Sequence, residues 1–168
     1  VSGFAQALPH VLRVEGGFVD DPDDRGGRTN FGITQNTFDV WNGSKGLRKR
    51  DVKGIMSDEV AAIYHERYWL AGKCDALPWP LSAAHFDACV NHGKTNAAKM
   101  LQEALGVTAD GAIGPKTLEA VEGADVDELL EDLLWIRLEF FRSIARGSQE
   151  KFLKGWVWRL LKVAELVR

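Results

Sequence analysis

Glu15 is the residue from which the chemistry of this sequence can be built. Phe4, Leu8, Val11 and Glu15 recur at helical spacing, so the carboxyl closes an apolar face. Gly16-Gly17 then end the helix and leave backbone open to a ligand. Apolar surroundings favour the neutral form of a carboxyl, which is what a general acid needs near neutral pH. A surface glutamate at a helix end would satisfy the same pattern. The turn that follows, Asp20-Asp21-Pro22-Asp23-Asp24-Arg25-Gly26-Gly27, carries acids that cannot all point one way. One of them facing Glu15 across a cleft would complete a pair of carboxyls. Glycoside cleavage uses such a pair, one to protonate the leaving oxygen and one to activate water or stabilise the cation.

A calcium loop is the competing use of such a turn, and it fails on spacing. Counting from Asp21 puts Gly26 at the sixth place, but the fifth is Arg25 and the twelfth is Gly32, where a glutamate is required. A solvated turn made of the usual Asp, Pro and Gly is the remaining alternative.

The run from Glu15 through Gly16-Gly17-Phe18-Val19 to Thr29-Asn30-Phe31-Gly32-Ile33-Thr34 resembles the signature of the glycoside hydrolase family 108 muramidases. That group includes phage endolysins and secretion activators. The likeness continues at Tyr64 to Trp69, at Phe86-Asp87 through Asn91-His92-Gly93, at Leu105-Gly106 through Asp110 to Thr117, and at Phe152, Trp156 and Arg159. The resemblance implies a lysozyme-like fold with Glu15 as proton donor to the glycosidic oxygen, and roles for Asp21, Asp24 and Thr29. Glu15, Asp24 and Thr29 also resemble the Glu, Asp, Thr trio of phage-type lysozymes, with Thr29 one residue early. By that likeness Asp24 positions or activates water and Thr29 helps to hold it. Arg25 stands where the family pattern has proline, and Asp20 where it has asparagine. The implied reaction is hydrolysis of the β-1,4 bond between N-acetylmuramic acid and N-acetylglucosamine, by analogy with inversion, and with no metal or organic cofactor. Two alternatives stay open: a lytic transglycosylase, and a non-catalytic wall-binding or secretion-accessory protein.

Other residues offer weaker chemistry. Asp87 and Asn91 follow one another on a helix that could face the cleft; Asn91 suits an acetamido group or a helix cap. Tyr68 and Trp69 could stack on a sugar or belong to the core. His65, His85 and His92 show no paired-ligand spacing, so no metal is expected. Cys74 and Cys89 match no zinc pattern and read as buried free thiols.

The elements that must position these groups are mainly helical. The first helix starts near Pro9 or bends there. From Phe18 to Thr34 the helical period disappears, and Thr29, Phe31 and Ile33 alternate as a short strand, so a small β-hairpin is expected beside the first helix. Ser57 is placed to cap a helix carrying Val60, Ile63, Tyr64, Tyr68 and Trp69. Pro78 and Pro80 mark a break. Helices are expected over about 82–90 and 96–105, a short one from Pro115, and two longer ones, the second carrying Phe152, Trp156, Leu160 and Ala164. The fold class is therefore mainly α. Residues 1–80 form the catalytic region and 81–168 a helical peptidoglycan-domain-like region packed against it.

Composition bounds the rest. The chain has 168 residues, 45% hydrophobic and 27% charged, which suits a globular protein able to bury a core. A net charge of −3 argues against a dedicated nucleic-acid binder. The basic stretch Lys45–Lys53 and the acidic stretch Glu122–Asp132 read as solvated surface. Val1 to Arg13 shows no signal peptide, so synthesis in the cytoplasm and action in the periplasm or cell wall are expected, a holin-like pore being one route of export that the sequence leaves open. Peptidoglycan glycan strands are the expected partner, and the chain is expected to be a monomer. Trp156, Trp158, Leu160 and Leu161 interleave with Lys151, Lys154, Arg159 and Lys162 in the last helix. That pattern fits a transient membrane-surface contact or packing on the preceding helix.

Overall fold

The computed structural model describes residues 3–20 and 27–168. As expected, it is mainly helical with one small antiparallel hairpin near the first helix. Helix α1 (Gly3–Glu15) continues through Pro9, which lies on the exposed side, while Ala7, His10 and Val11 face inward. It ends at Gly16, whose φ of 82° is the left-handed conformation glycine adopts at helix ends.

The segment expected as one strand is two. β1 (Thr29–Asn30) pairs with β2 (Ile33–Thr34), with Thr29 opposite Thr34 and Asn30 opposite Ile33. Phe31 and Gly32 both take positive φ, 50° and 70°, the backbone of a two-residue type I′ turn. Val19 adds a bridge to Thr29 through hydrogen bonds of 2.8 and 2.9 Å, which brings the strand edge back beside the end of α1. The buried Asn30 side chain donates to the carbonyls of Val52 and Lys53 at 3.3 and 3.2 Å and pins the hairpin to a 3-10 turn over Val52–Gly54.

Helix α2 (Gln35–Ser44) follows directly, capped by the Thr34 hydroxyl, which accepts the Thr37 N–H at 3.2 Å. Helix α3 (Ser57–Tyr64) is capped differently from expectation. Ser57 is its first helical residue, and the Glu59 carboxylate accepts the Met56 N–H at 2.9 Å. The helix continues over His65–Leu70 with the wider π winding, which shifts the facing of Tyr68 and Trp69.

Helix α4 (Leu81–His92) is the central element. Every residue from Leu81 to Cys89 is buried, and Ser82, Ala83, Ala84 and Ala88 let neighbours approach closely. One apolar cluster joins Ala83 and Phe86 to Val11, Ile33, Phe38, Ile63 and Tyr64. A second joins Leu81 and Ala84 to Leu101, Leu130, Leu133 and Val163. The second is built by α5 (Lys94–Ala104), α6 (Pro115–Glu122), α7 (Val126–Ile144) and α8 (Leu153–Leu166). Pro115 opens α6 at its first position, as its fixed φ favours. Phe152, expected in the last helix, closes a 3-10 turn over Gly147–Phe152 before it. Helix α8 packs on α7, α4 and α1, burying Arg159, Leu160 and Val163, while Trp158 and Leu161 stay exposed.

Candidate active site

Four helices bring four charges together. Glu15, the last residue of α1, keeps a side chain 20% exposed and receives a 2.6 Å hydrogen bond on Oε1 from Arg159 Nη1. Arg159 Nε donates to both oxygens of Asp87, at 3.0 and 3.2 Å. Arg137 Nη2 donates to Asp87 Oδ2 at 2.6 Å, and both of these side chains are fully buried. Arg137 Nε donates to His92 Nε2 at 3.3 Å. Asp87 is thus held between two guanidiniums, which is the condition for keeping its charge out of water, and Glu15 closes the network at its more exposed end.

The electrostatics follow from burial and pairing. Burial works to raise the pKa of Asp87, but Arg137 and Arg159 outweigh it and hold the carboxyl below its ordinary range. Burial works to lower Arg159, but Asp87 and then Glu15 outweigh it and raise its pKa. His92 is pushed down to about 3, first by burial and then by the Arg137 charge, so its ring is neutral and accepts from Arg137.

The hairpin turn covers the other side of Glu15. A Cβ built on Gly32 would lie 2.8 Å from Glu15 Oε2 and 2.9 Å from Tyr64 Oη, so only glycine fits, and its positive φ demands glycine independently. The Tyr64 hydroxyl donates to the Phe31 carbonyl at 2.7 Å and fixes the turn over the carboxyl. Burial first, and the Glu15 charge second, keep Tyr64 protonated and therefore a donor.

The remaining expected residues are placed as follows. Asp21 and Asp24 lie outside the described residues. The Thr29 hydroxyl donates to the Gly27 carbonyl at 3.1 Å, at the start of the hairpin whose turn covers Glu15. Asp20 pairs with Arg28 at 3.3 Å, and Arg28 pairs with Asp51 at 2.7 Å, which braces the strand leaving the acidic turn. Tyr68 is half-buried and tilted against Tyr64 at 5.3 Å. Trp69 is a core residue: its ring meets Phe4 and Phe86 edge-on and its indole N–H donates to Asp75, so it has no face for a sugar. Asp87 has no exposed surface and its oxygens are held by two arginines, so it positions Arg159 rather than touching substrate. Asn91, one helical turn beyond Asp87, is half-buried with an enclosed Oδ1 that has no partner.

Arg137 was not anticipated. Its signal was a lone charge on the apolar face of α7, between Leu133 and Phe141 at steps of four. Arg159 was noted only for its place in the last helix. Among the described residues, one group could hold a metal, Cys74 with His85 and Cys89. It lies two residues from Asp87 in either direction along α4, hence on the far side of that helix.

Comparison with known proteins gives three findings. A family model described as "Glycosyl hydrolase 108" matches residues 8–93, and one described as "Predicted Peptidoglycan domain" matches residues 96–161. A solved structure described as "Structure of Brucella abortus SagA" superposes with a TM-score of 0.81 at 39% identity, covering 96% of this chain and 91% of that one. No curated protein matches.

Proposed function

The chain belongs to glycosyl hydrolase family 108, and on that premise we propose that it is a muramidase cutting the β-1,4 bond between N-acetylmuramic acid and N-acetylglucosamine, with Glu15 as general acid. Family membership makes it a glycoside hydrolase, and the second matched domain makes peptidoglycan its partner. The observation that carries the finer reading is the way Glu15 is held. Arg159 takes Oε1, and Oε2 lies at the hairpin turn, so one oxygen fixes the carboxyl while the other serves the glycosidic oxygen.

In this reading Glu15 delivers a proton from Oε2 as the bond to the leaving sugar breaks, and water attacks the anomeric carbon. Asp24, five residues before Thr29 in the sequence, activates that water, and Thr29 helps to hold it. Asp21 is assigned to substrate binding. Half-buried Asn91 offers its amide to an acetamido group, and half-exposed Tyr68 offers the edge of a ring to the sugar. The reaction belongs at the cell wall; among the described residues no helix is long and apolar enough to cross a membrane.

The test is turbidity loss of purified peptidoglycan by the native protein and by Glu15→Gln at equal folded concentration. The native protein is expected to clear the wall and the variant almost not at all, because the amide keeps the shape without the proton. Equal clearing by both would remove Glu15 from the mechanism. Mass spectrometry of the products should show reducing N-acetylmuramic ends; anhydro ends would replace hydrolysis by transglycosylation.

A further inference from the structure

Cys74, His85 and Cys89 form a second constellation that the proposed hydrolysis does not use. All three are fully buried, Cys74 on a 3-10 turn (Cys74–Ala76) and the other two one turn apart on α4. Their ligand atoms lie within 4.8 Å of one another. Cys89 Sγ stands 3.5 Å from His85 Nε2. With zinc bonds of about 2.3 Å to sulfur and about 2.0–2.1 Å to nitrogen, a tetrahedral site has an S···N edge of about 3.5 Å and an S···S edge of about 3.8 Å. The pair on α4 already has the first spacing, and bringing Cys74 to the second asks for at most about 1 Å of movement.

The backbone is shaped to the sulfurs. A Cβ on Gly72 would lie 2.6 Å from Cys89 Sγ and 3.3 Å from Cys74 Sγ, so the chain can pass there only as glycine. His85 is left with unmatched hydrogen-bonding capacity. Its Nε2 donates to the Gly72 carbonyl at 3.0 Å, and its Nδ1 is buried without a partner among the described residues. Buried ring nitrogens are rarely left so. Moving the proton to Nδ1 frees the Nε2 lone pair for an ion set between it, the Gly72 carbonyl and the Cys89 sulfur.

We propose that Cys74, Cys89 and His85 bind one zinc ion as a structural site. Two thiolates, a neutral imidazole and a divalent cation sum to zero charge, which a dry interior tolerates. Binding releases the two thiol protons. The Gly72 carbonyl, 3.0 Å from His85 Nε2, is the protein oxygen placed to complete the shell. The ion ties the segment after the π turn to α4 on both sides of Asp87, so it stiffens the helix that holds the Arg159 clamp.

The experiment uses the full chain, reduced with a phosphine, stripped with a chelator, and titrated with zinc chloride or cobalt(II). One ion per chain is expected, with a rise in melting temperature on adding zinc. The cobalt form should show the thiolate charge-transfer band and the strong visible bands of a tetrahedral site, both erased by zinc. Cys89→Ser and His85→Gln, checked for folding by circular dichroism, should weaken or lose those bands. The wild-type spectra decide the matter even where a variant does not fold. Failure of the reduced wild-type chain to take up either ion overturns the proposal. So does a cobalt spectrum that lacks the thiolate band, as would follow if the two sulfurs served only as free thiols or as a disulfide. None of these readouts depends on wall-cleaving activity.

Discussion

Arg159 grips Glu15 and Asp87 with one guanidinium, Nη1 on Glu15 Oε1 at 2.6 Å and Nε on Asp87 Oδ1 at 3.0 Å. The buried aspartate thereby sets the direction in which the arginine presents itself to the acid. The bond ties Oε1 to Arg159 and leaves Oε2 toward the hairpin turn, an orientation that suits the proton donor proposed for this position.

The first prediction concerns that grip. Arg159→Lys keeps the charge but loses the planar fork that spans two carboxylates. Clearing of peptidoglycan at saturating substrate should fall by roughly 10²-fold, because displacing a reacting group by about 1 Å costs that much. The concentration of wall giving half-maximal rate should hardly change. A rate equal to that of the native chain would show that the grip is structural only.

Asp87→Asn removes the charge between two buried guanidiniums. Leaving a buried pair half broken costs about 3–5 kcal/mol. Urea unfolding should show a loss of that order, and Asp87→Ala should do no better. A loss below about 1 kcal/mol, the range of surface pairs, would mean that water reaches the network.

Gly32 and Gly43 form a matched pair of tests. Gly32→Ala meets the Glu15 carboxylate at 2.8 Å in a backbone conformation with φ of 70°, so both activity and stability should drop, stability by about 1–3 kcal/mol. Gly43 lies in α2 with open space around its Cβ direction, so Gly43→Ala should be neutral or stabilise by up to about 1 kcal/mol. Wall clearing by the two variants, beside melting curves, separates the effects.

Stability should fall on mild acidification. His92 has its pKa lowered to about 3 from 6.5, so the unfolded chain binds a proton that the folded chain refuses between those values. The stability is therefore complete above pH 6.5 and declines as pH falls toward 3, by about 2 kcal/mol at pH 5. His10, also lowered chiefly by burial, adds in the same direction. Asp87 acts later, because its depressed pKa keeps its contribution until pH drops below the usual carboxylate range. Melting curves of the native chain and His92→Gln between pH 7.5 and 4.5 check this. The variant should show the shallower slope.

The second carboxyl is assigned by parallel variants. Asp24→Asn should cut peptidoglycan clearing by at least about 10²-fold, the scale of a lost general base, with Asp21→Asn mainly weakening binding. Reversal of the two outcomes would exchange their roles.

What the sequence disclosed, and what it hid, divides along physical lines. Periodicity and glycine placement exposed α1, its end at Gly16 and Glu15 beside it, because those signals are local. The one-strand expectation for 29–33 missed that Phe31 takes a positive φ, an uncommon state for an aromatic, held here by the Tyr64 hydroxyl from 33 residues away. Ser57 looked like a cap by type, yet Glu59 reached back to the Met56 N–H first. Trp69 and Asp87 carried sugar-binding residue types, but burial assigned one to the core and the other to an ion network. That network joins residues 15, 87, 137 and 159, whose separations of 72 and 144 residues no local window can connect.

Chain order has a consequence for biosynthesis. Glu15 leaves the ribosome 144 residues ahead of Arg159, its partner. A nascent chain therefore carries the proton donor long before it carries the hand that aims it. On this layout the carboxyl proposed as the acid gains its orientation only when α8 docks, so the docking of that helix and the aiming of Glu15 are the same event.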